Sequence, residues 1–224
     1  EHLFIIIYKY NSKINNMDIR KYFQVTPKNN IFLNNNNNNK CNNIEKQSEE
    51  INTNHIVFTD GSTFNNGSKK NAFGGIGVFY KDNDSRNISK ILTGSKVTNN
   101  VAEILACIYG IEGIINLSDF DKKNRITVYT DSQYTINSIT KWAKTWESNG
   151  WKRKQGNRLM NLKNKEIIQK LYKYYNIYNI NFIHIRAHTK EPEDKNSKYY
   201  KLWHGNNMAD QLARNASLMS KNNH

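Results

Sequence analysis

Twice the sequence runs a β-branched and aromatic segment into Thr-Asp: HIVFTDGSTFNNG at 55–67 and RITVYTDSQY at 125–134. Short runs of this kind, closed off by turn-forming residues, read as buried strands. An ionised carboxylate at the end of such a strand carries a large desolvation cost unless something neutralises it. If the two strands are neighbours in one sheet, Asp60 and Asp131 leave it side by side. The repeated pattern therefore asks for a sheet with both strands inside it, and for a cation where they end.

The surrounding segments supply the layers. HIVFTD, GGIGVFY (74–80) and NISKILTG (87–94) are three short strands that read as an antiparallel meander. From Asn99 onward apolar residues recur at 101, 104, 105, 108, 111 and 115, a helical spacing, with Asn99 or Asn100 as the N-cap. After RITVYTD come two helical segments at 132–146 and 159–176, a strand at 180–187 and a closing helix at 206–219. Hairpin strands followed by alternating helix and strand make an α/β domain, a mixed sheet with helices on its faces.

The first 54 residues have another character. NIFLNNNNNNKCNNIEKQSEEINTN (30–54) contains a run of six asparagines and no hydrophobic period, so it reads as a disordered linker. The expected organisation is an N-terminal extension over 1–54, a globular domain over 55–219 and a short tail over 220–224. A formal net charge of +14 points to a polyanionic partner, most simply nucleic acid. Cys41 and Cys107 form no disulfide framework, so an intracellular, reducing compartment is expected. LFIIIY (3–8) is too short to span a bilayer, and neither membrane association nor oligomerisation is expected.

Glu103, in the first turn of its helix, and Asp210, in the first turn of the last one, can reach the same sheet edge as Asp60 and Asp131. Singly, each reads more readily as an acid favoured by a helix dipole. Together, four acids with no basic residue between them repel one another, and divalent cations relieve that repulsion. Oxygen-only ligands favour Mg²⁺ over zinc, with Mn²⁺ as a substitute. Two such ions can stabilise the attacking and leaving oxygens of a phosphodiester cleavage.

The motifs that carry these acids follow one another in order: FTDGST with Asp60, GGIGV, VTNNVAEILA with Glu103, YTDSQY with Asp131, IRAH with His188 and GNNMADQLA with Asp210. In this set the chain resembles the type 1 ribonuclease H family over about 55–219. The resemblance implies a ribonuclease H-like fold whose mixed sheet has five strands, a meander followed by parallel strands. It also implies an endoribonuclease that hydrolyses the RNA strand of RNA–DNA hybrids with two metal ions. The products would carry 5′-phosphate and 3′-hydroxyl ends, and the setting would be DNA replication or R-loop removal. Asp60, Glu103, Asp131 and Asp210 would be the metal ligands, and His188 a loop histidine assisting proton transfer or product release. His184 is the competing candidate; His188 is preferred because it lies past the apolar run of its strand.

Telling RNA from DNA needs a contact to the 2′-hydroxyl, which both donates and accepts. The Gly61 backbone, Ser62, Asn99, Asn100 and Gln133 are candidates by position, while Lys96 and Thr98 match the family's pocket for a DNA phosphate. In KWAKTWESNGWKRKQGNR (141–158), Trp142, Trp146 and Trp151 interleave with Lys152 and neighbouring basic residues. The family's counterpart is a basic protrusion that grips the DNA strand, although core packing competes for at least one tryptophan.

The chain departs from the family in TKEPEDKNSKYYKLWHGNNMA (189–209), longer than the expected loop, and in Asn207, where the motif has glutamate. In NNMDIRKYFQVTPK (15–28), Ile19 precedes Tyr22 and Phe23 with a spacing similar to that of a sliding-clamp-binding box, although Asn16 stands where such boxes have glutamine. A clamp is a candidate partner, beside the alternative of an apolar anchor docking on the protein's own core. Two further readings stand beside the nuclease: a non-catalytic nucleic-acid-binding module on the same fold, and a detached ribonuclease H domain of a reverse transcriptase. The full set of four carboxylates speaks against the first, and nothing in the chain resembles a polymerase.

Overall fold

The computed structural model describes residues 55–64, 73–93 and 97–222. Ile19, Tyr22 and Phe23, the expected linker, Cys41 and Lys96 lie outside the described residues. In chain order the elements are β1 (Ile56–Phe64), β2 (Phe73–Phe79), β3 (Ile88–Thr93), α1 (Asn99–Ile115), β4 (Arg125–Thr130) and α2 (Gln133–Asn137). A π-helical turn (Ser138–Trp142) then leads into α3 (Ala143–Ser148), β5 (Lys152–Gln155), β6 (Arg158–Asn161), α4 (Lys165–Ile177), β7 (Asn179–His184) and α5 (Lys198–Asn222).

Five strands form the expected mixed sheet in the order β3-β2-β1-β4-β7. The meander β1–β2–β3 is antiparallel, whereas β1–β4 and β4–β7 pair in parallel. Alternate residues of β1 serve opposite faces. Val57 joins the larger core under α1, with Ile104, Ile108 and Ile111, and Phe58 joins a smaller one under α5, with Phe79, Ile185 and Leu212. Among the described residues no helix is long and apolar enough to cross a membrane.

Several elements differ from the sequence expectation. Thr98, not Asn99 or Asn100, caps α1: its backbone is extended and its Oγ1 accepts from the Val101 amide at 3.3 Å. The helix expected over 132–146 is interrupted by the π turn. Residues 152–161 fold as a hairpin, so the helix expected from 159 begins only at Lys165. Leu159, Met160 and Leu162 fit a helical spacing as well as a strand; the left-handed backbone at Gly156 (φ 58°) makes the reversal. β7 ends at His184 rather than at 187.

Finally, α5 begins at Lys198 instead of 206, which puts Asp210 in mid-helix and removes the dipole reading for it. Gly205 reads as a helix breaker in sequence. It sits inside α5 because the Phe58 ring occupies the place of its side chain.

Candidate active site

Parallel register brings the first two acids together. Thr59 of β1 pairs with Thr130 of β4, so Asp60 and Asp131 follow at one level of the sheet. α1 lies against this level and adds Glu103. One oxygen each of Asp60, Glu103 and Asp131 lie within 4.8 Å of one another. Gly61 permits the approach: a Cβ there would overlap the backbone of Ala102 and Glu103, so only glycine lets β1 lie directly on α1 at this point. The Gly61 amide also serves the Asp60 and Glu103 carboxylates.

The electrostatics follow from this crowding. Asp60 and Glu103 are only 7% and 5% exposed. Burial pushes the Asp60 carboxyl well above the usual carboxylate range, and Asp131 and Asp210 push it further. Glu103 is raised by burial, then by Asp60 and Asp131. Asp131 is raised by burial and by Asp210, while His184 and His188 pull it back down. Glu103 Oε2 is buried without a hydrogen-bond partner, and Asn99 Nδ2 reaches Oε1 at a long 3.4 Å. An orphaned carboxylate oxygen beside two other acids is a place for a cation.

The donor set is all oxygen, which fits a hard divalent ion such as Mg²⁺. Cys107 lies nearby but offers no thiolate. It contacts Thr59 Oγ1 at 3.3 Å, and burial pushes its thiol up to about 12.

Asp210 joins the cluster from α5 through Asp60, with which it interacts directly. The expectation that no basic residue stands among the acids is not met. Arg214 Nε donates to Asp210 Oδ1 at 2.8 Å, one helical turn on. Arg214 Nη2 also lies 3.4 Å from both ring nitrogens of His188. Equal and long, these are a contact along the ring and not a directed hydrogen bond.

His188 is exposed, with left-handed backbone (φ 54°). His184 donates from Nε2 to the Asp131 main-chain oxygen at 3.1 Å, so its tautomer is set by the backbone. His188, Thr189, Trp203, Asn206, Asn207 and Asp210 line a small cavity beside the acids.

The other predicted residues fall into groups. Gly61 is buried and Ser62 half-buried on β1 beside the cluster; Asn99 and Asn100 open α1, and Gln133 opens α2, exposed. Thr98 is engaged as the helix cap. Trp146 and Trp151 pack on the larger core, and Trp151 meets Tyr172 with ring centres 6.0 Å apart. Trp142 is exposed and continues an aromatic row from Tyr134 (6.2 Å) to Trp146 (5.6 Å).

Both strands of the β5–β6 hairpin are exposed, presenting Lys152, Arg153, Lys154 and Arg158. Arg214 escaped the sequence reading, although an acid and a base four apart on a helix is a recognisable signal. Trp203 left no such trace, because its partner is a main-chain oxygen.

Comparison with known proteins gives a consistent family. A model described as RNase H matches residues 52–218. The chain is 31% identical over 173 residues to the ribonuclease H of Schizosaccharomyces pombe, covering 77% of this chain and 56% of that protein. It is 34% identical over 146 residues to a probable ribonuclease H of Acanthamoeba polyphaga mimivirus (65% and 59%). With human ribonuclease H1 it shares 32% over 166 residues (74% and 51%). The chain thus spans little more than half the length of these relatives. Among solved structures, that of LC9-RNase H1 superposes with a TM-score of 0.51 at 22% identity, covering 74% of this chain and 72% of that one; this likeness bears on the fold alone.

Proposed function

The chain belongs to the ribonuclease H family, and from that premise we propose that it hydrolyses the RNA strand of RNA–DNA hybrids in a divalent-metal-dependent reaction. The observation that carries this reading is the buried Glu103 oxygen left without a partner in a carboxylate that clusters with those of Asp60 and Asp131. Asp60, Glu103, Asp131 and Asp210 would hold two Mg²⁺, with Mn²⁺ as a substitute. When bound, the ions supply positive charge to the attacking water and to the leaving oxygen, consistent with 5′-phosphate and 3′-hydroxyl products.

The protein's own groups have separable tasks in this reading. Gly61, Ser62, Asn99, Asn100 and Gln133 stand on elements that open onto the acids, where uncharged donors and acceptors can read a 2′-hydroxyl. Thr98 would serve a DNA phosphate from the start of α1. The basic hairpin and Trp142 would hold the DNA strand. His188, exposed beside Asp210, would move a proton or hasten product departure; His184 is occupied by the backbone.

The test is a labelled RNA presented as a hybrid, as an RNA duplex and as a single strand, with Mg²⁺. Cleavage confined to the hybrid is expected. Asp131→Asn should lower turnover by at least about 10³-fold, while hybrid affinity changes by less than about threefold. Turnover retained by that variant would remove the site. Hybrid binding without hydrolysis by the unaltered chain would favour a non-catalytic binding module.

A further inference from the structure

The family resemblance leaves the long 189–209 segment unexplained, and its structure suggests a task. β7 stops at His184, and the chain crosses to α5 through a loop that carries His188. Before His188 the loop is pinned: the Ile185 amide donates to Thr130 O at 3.0 Å, and its side chain is buried. His188 itself adopts a left-handed backbone (φ 54°), a conformation that non-glycine residues keep only where the surroundings hold it.

The hold on the far side comes from the early start of α5. Its first two turns bring Trp203 over the loop, and the indole Nε1–H donates to Thr189 O at 2.9 Å, one residue past His188. Trp203 is itself supported by the ring of Tyr200, 5.6 Å away.

We propose that Trp203 is a positioning residue: its indole N–H anchors the loop at Thr189 and thereby holds His188 beside Asp210. Three turns of one helix then share the work. Trp203 fixes the loop backbone, Asp210 seven residues on joins the acids, and Arg214 four further on touches both Asp210 and the His188 ring. These spacings put all three on one side of α5. A loop lengthened between His188 and the helix has more conformations to lose, and an anchor next to the histidine removes most of them. The role rests on the reading of His188 given under Proposed function.

Trp203→Phe removes the N–H and keeps an aromatic ring. Turnover on hybrid should fall about three- to tenfold with KM altered less than twofold. The same substitution in a His188→Ala background should cost nothing more, because residues acting through one another are not additive. Independently of activity, amide exchange across 186–190 should quicken about tenfold with the thermal midpoint nearly unchanged.

If Trp203→Phe does not fold, β-(3-benzothienyl)alanine at 203, with sulfur in place of the N–H, makes the same test. Equal losses in both backgrounds would overturn the proposal, as would unchanged exchange and turnover in Trp203→Phe while His188→Ala is impaired. Full activity of His188→Ala would instead overturn the reading of His188, and with it the task assigned to Trp203.

Discussion

Asp60 and Glu103 keep their protons to unusually high pH, because burial and neighbouring acids disfavour their charged forms. In the metal-free protein the folded state therefore binds more protons than the unfolded one. The sign follows: these groups lower stability as pH rises from the ordinary carboxylate range through their raised values, and the loss is complete above them. A divalent cation requires the deprotonated forms, so its affinity should weaken as pH falls through the same window. Asp60→Asn removes one crowded charge. It should stabilise the metal-free protein by about 1–2 kcal/mol, a rise in thermal midpoint of roughly 2–8 °C, while abolishing stabilisation by Mg²⁺. Melting curves in chelator and in Mg²⁺ check both halves; a lower midpoint for the variant without metal would contradict the repulsion argument.

Among the elements, α5 shows most clearly what was legible beforehand. GNNMADQLA marked the helix and Asp210, but Gly205 concealed the two turns before it, since glycine in a helix interior is unfavourable by about 1 kcal/mol relative to alanine. Propensity alone says Gly205→Ala should stabilise. The fold says the reverse, because a Cβ at 205 would overlap the Phe58 ring, which is stacked on Tyr129 at 4.8 Å and cannot easily move. Chemical denaturation should show destabilisation by about 1–3 kcal/mol; a gain would mean that the α5–β1 contact is loose. The β5–β6 hairpin was illegible for a different reason. With both faces exposed it has no apolar alternation to reveal its strands, and only its turn residues distinguish it from the start of a helix.

Across the whole molecule the formal net charge of +14 favours a polyanion, and the exposed hairpin concentrates four cations. Binding of hybrid should weaken steeply with salt. Replacing Lys152, Arg153, Lys154 and Arg158 by serine should reduce the slope of log K against log salt by about 3.6, as expected if each cation neutralises one phosphate of the duplex. Titrations at several ionic strengths measure this directly, and an unchanged slope would place the phosphate contacts elsewhere.

The five strands of the main sheet, the meander, the three clustered acids and the family itself were legible in the sequence, because periodicity and short motifs are local properties. Tertiary structure decided the rest: the register that sets Thr59 against Thr130, the arginine among the acids and the tryptophan behind His188. The register and the tryptophan's bond depend on which backbone groups meet across distant segments, and a main-chain partner leaves no mark on the side chains that a sequence records. The arginine was written in its i,i+4 spacing, but only the fold puts it among the acids.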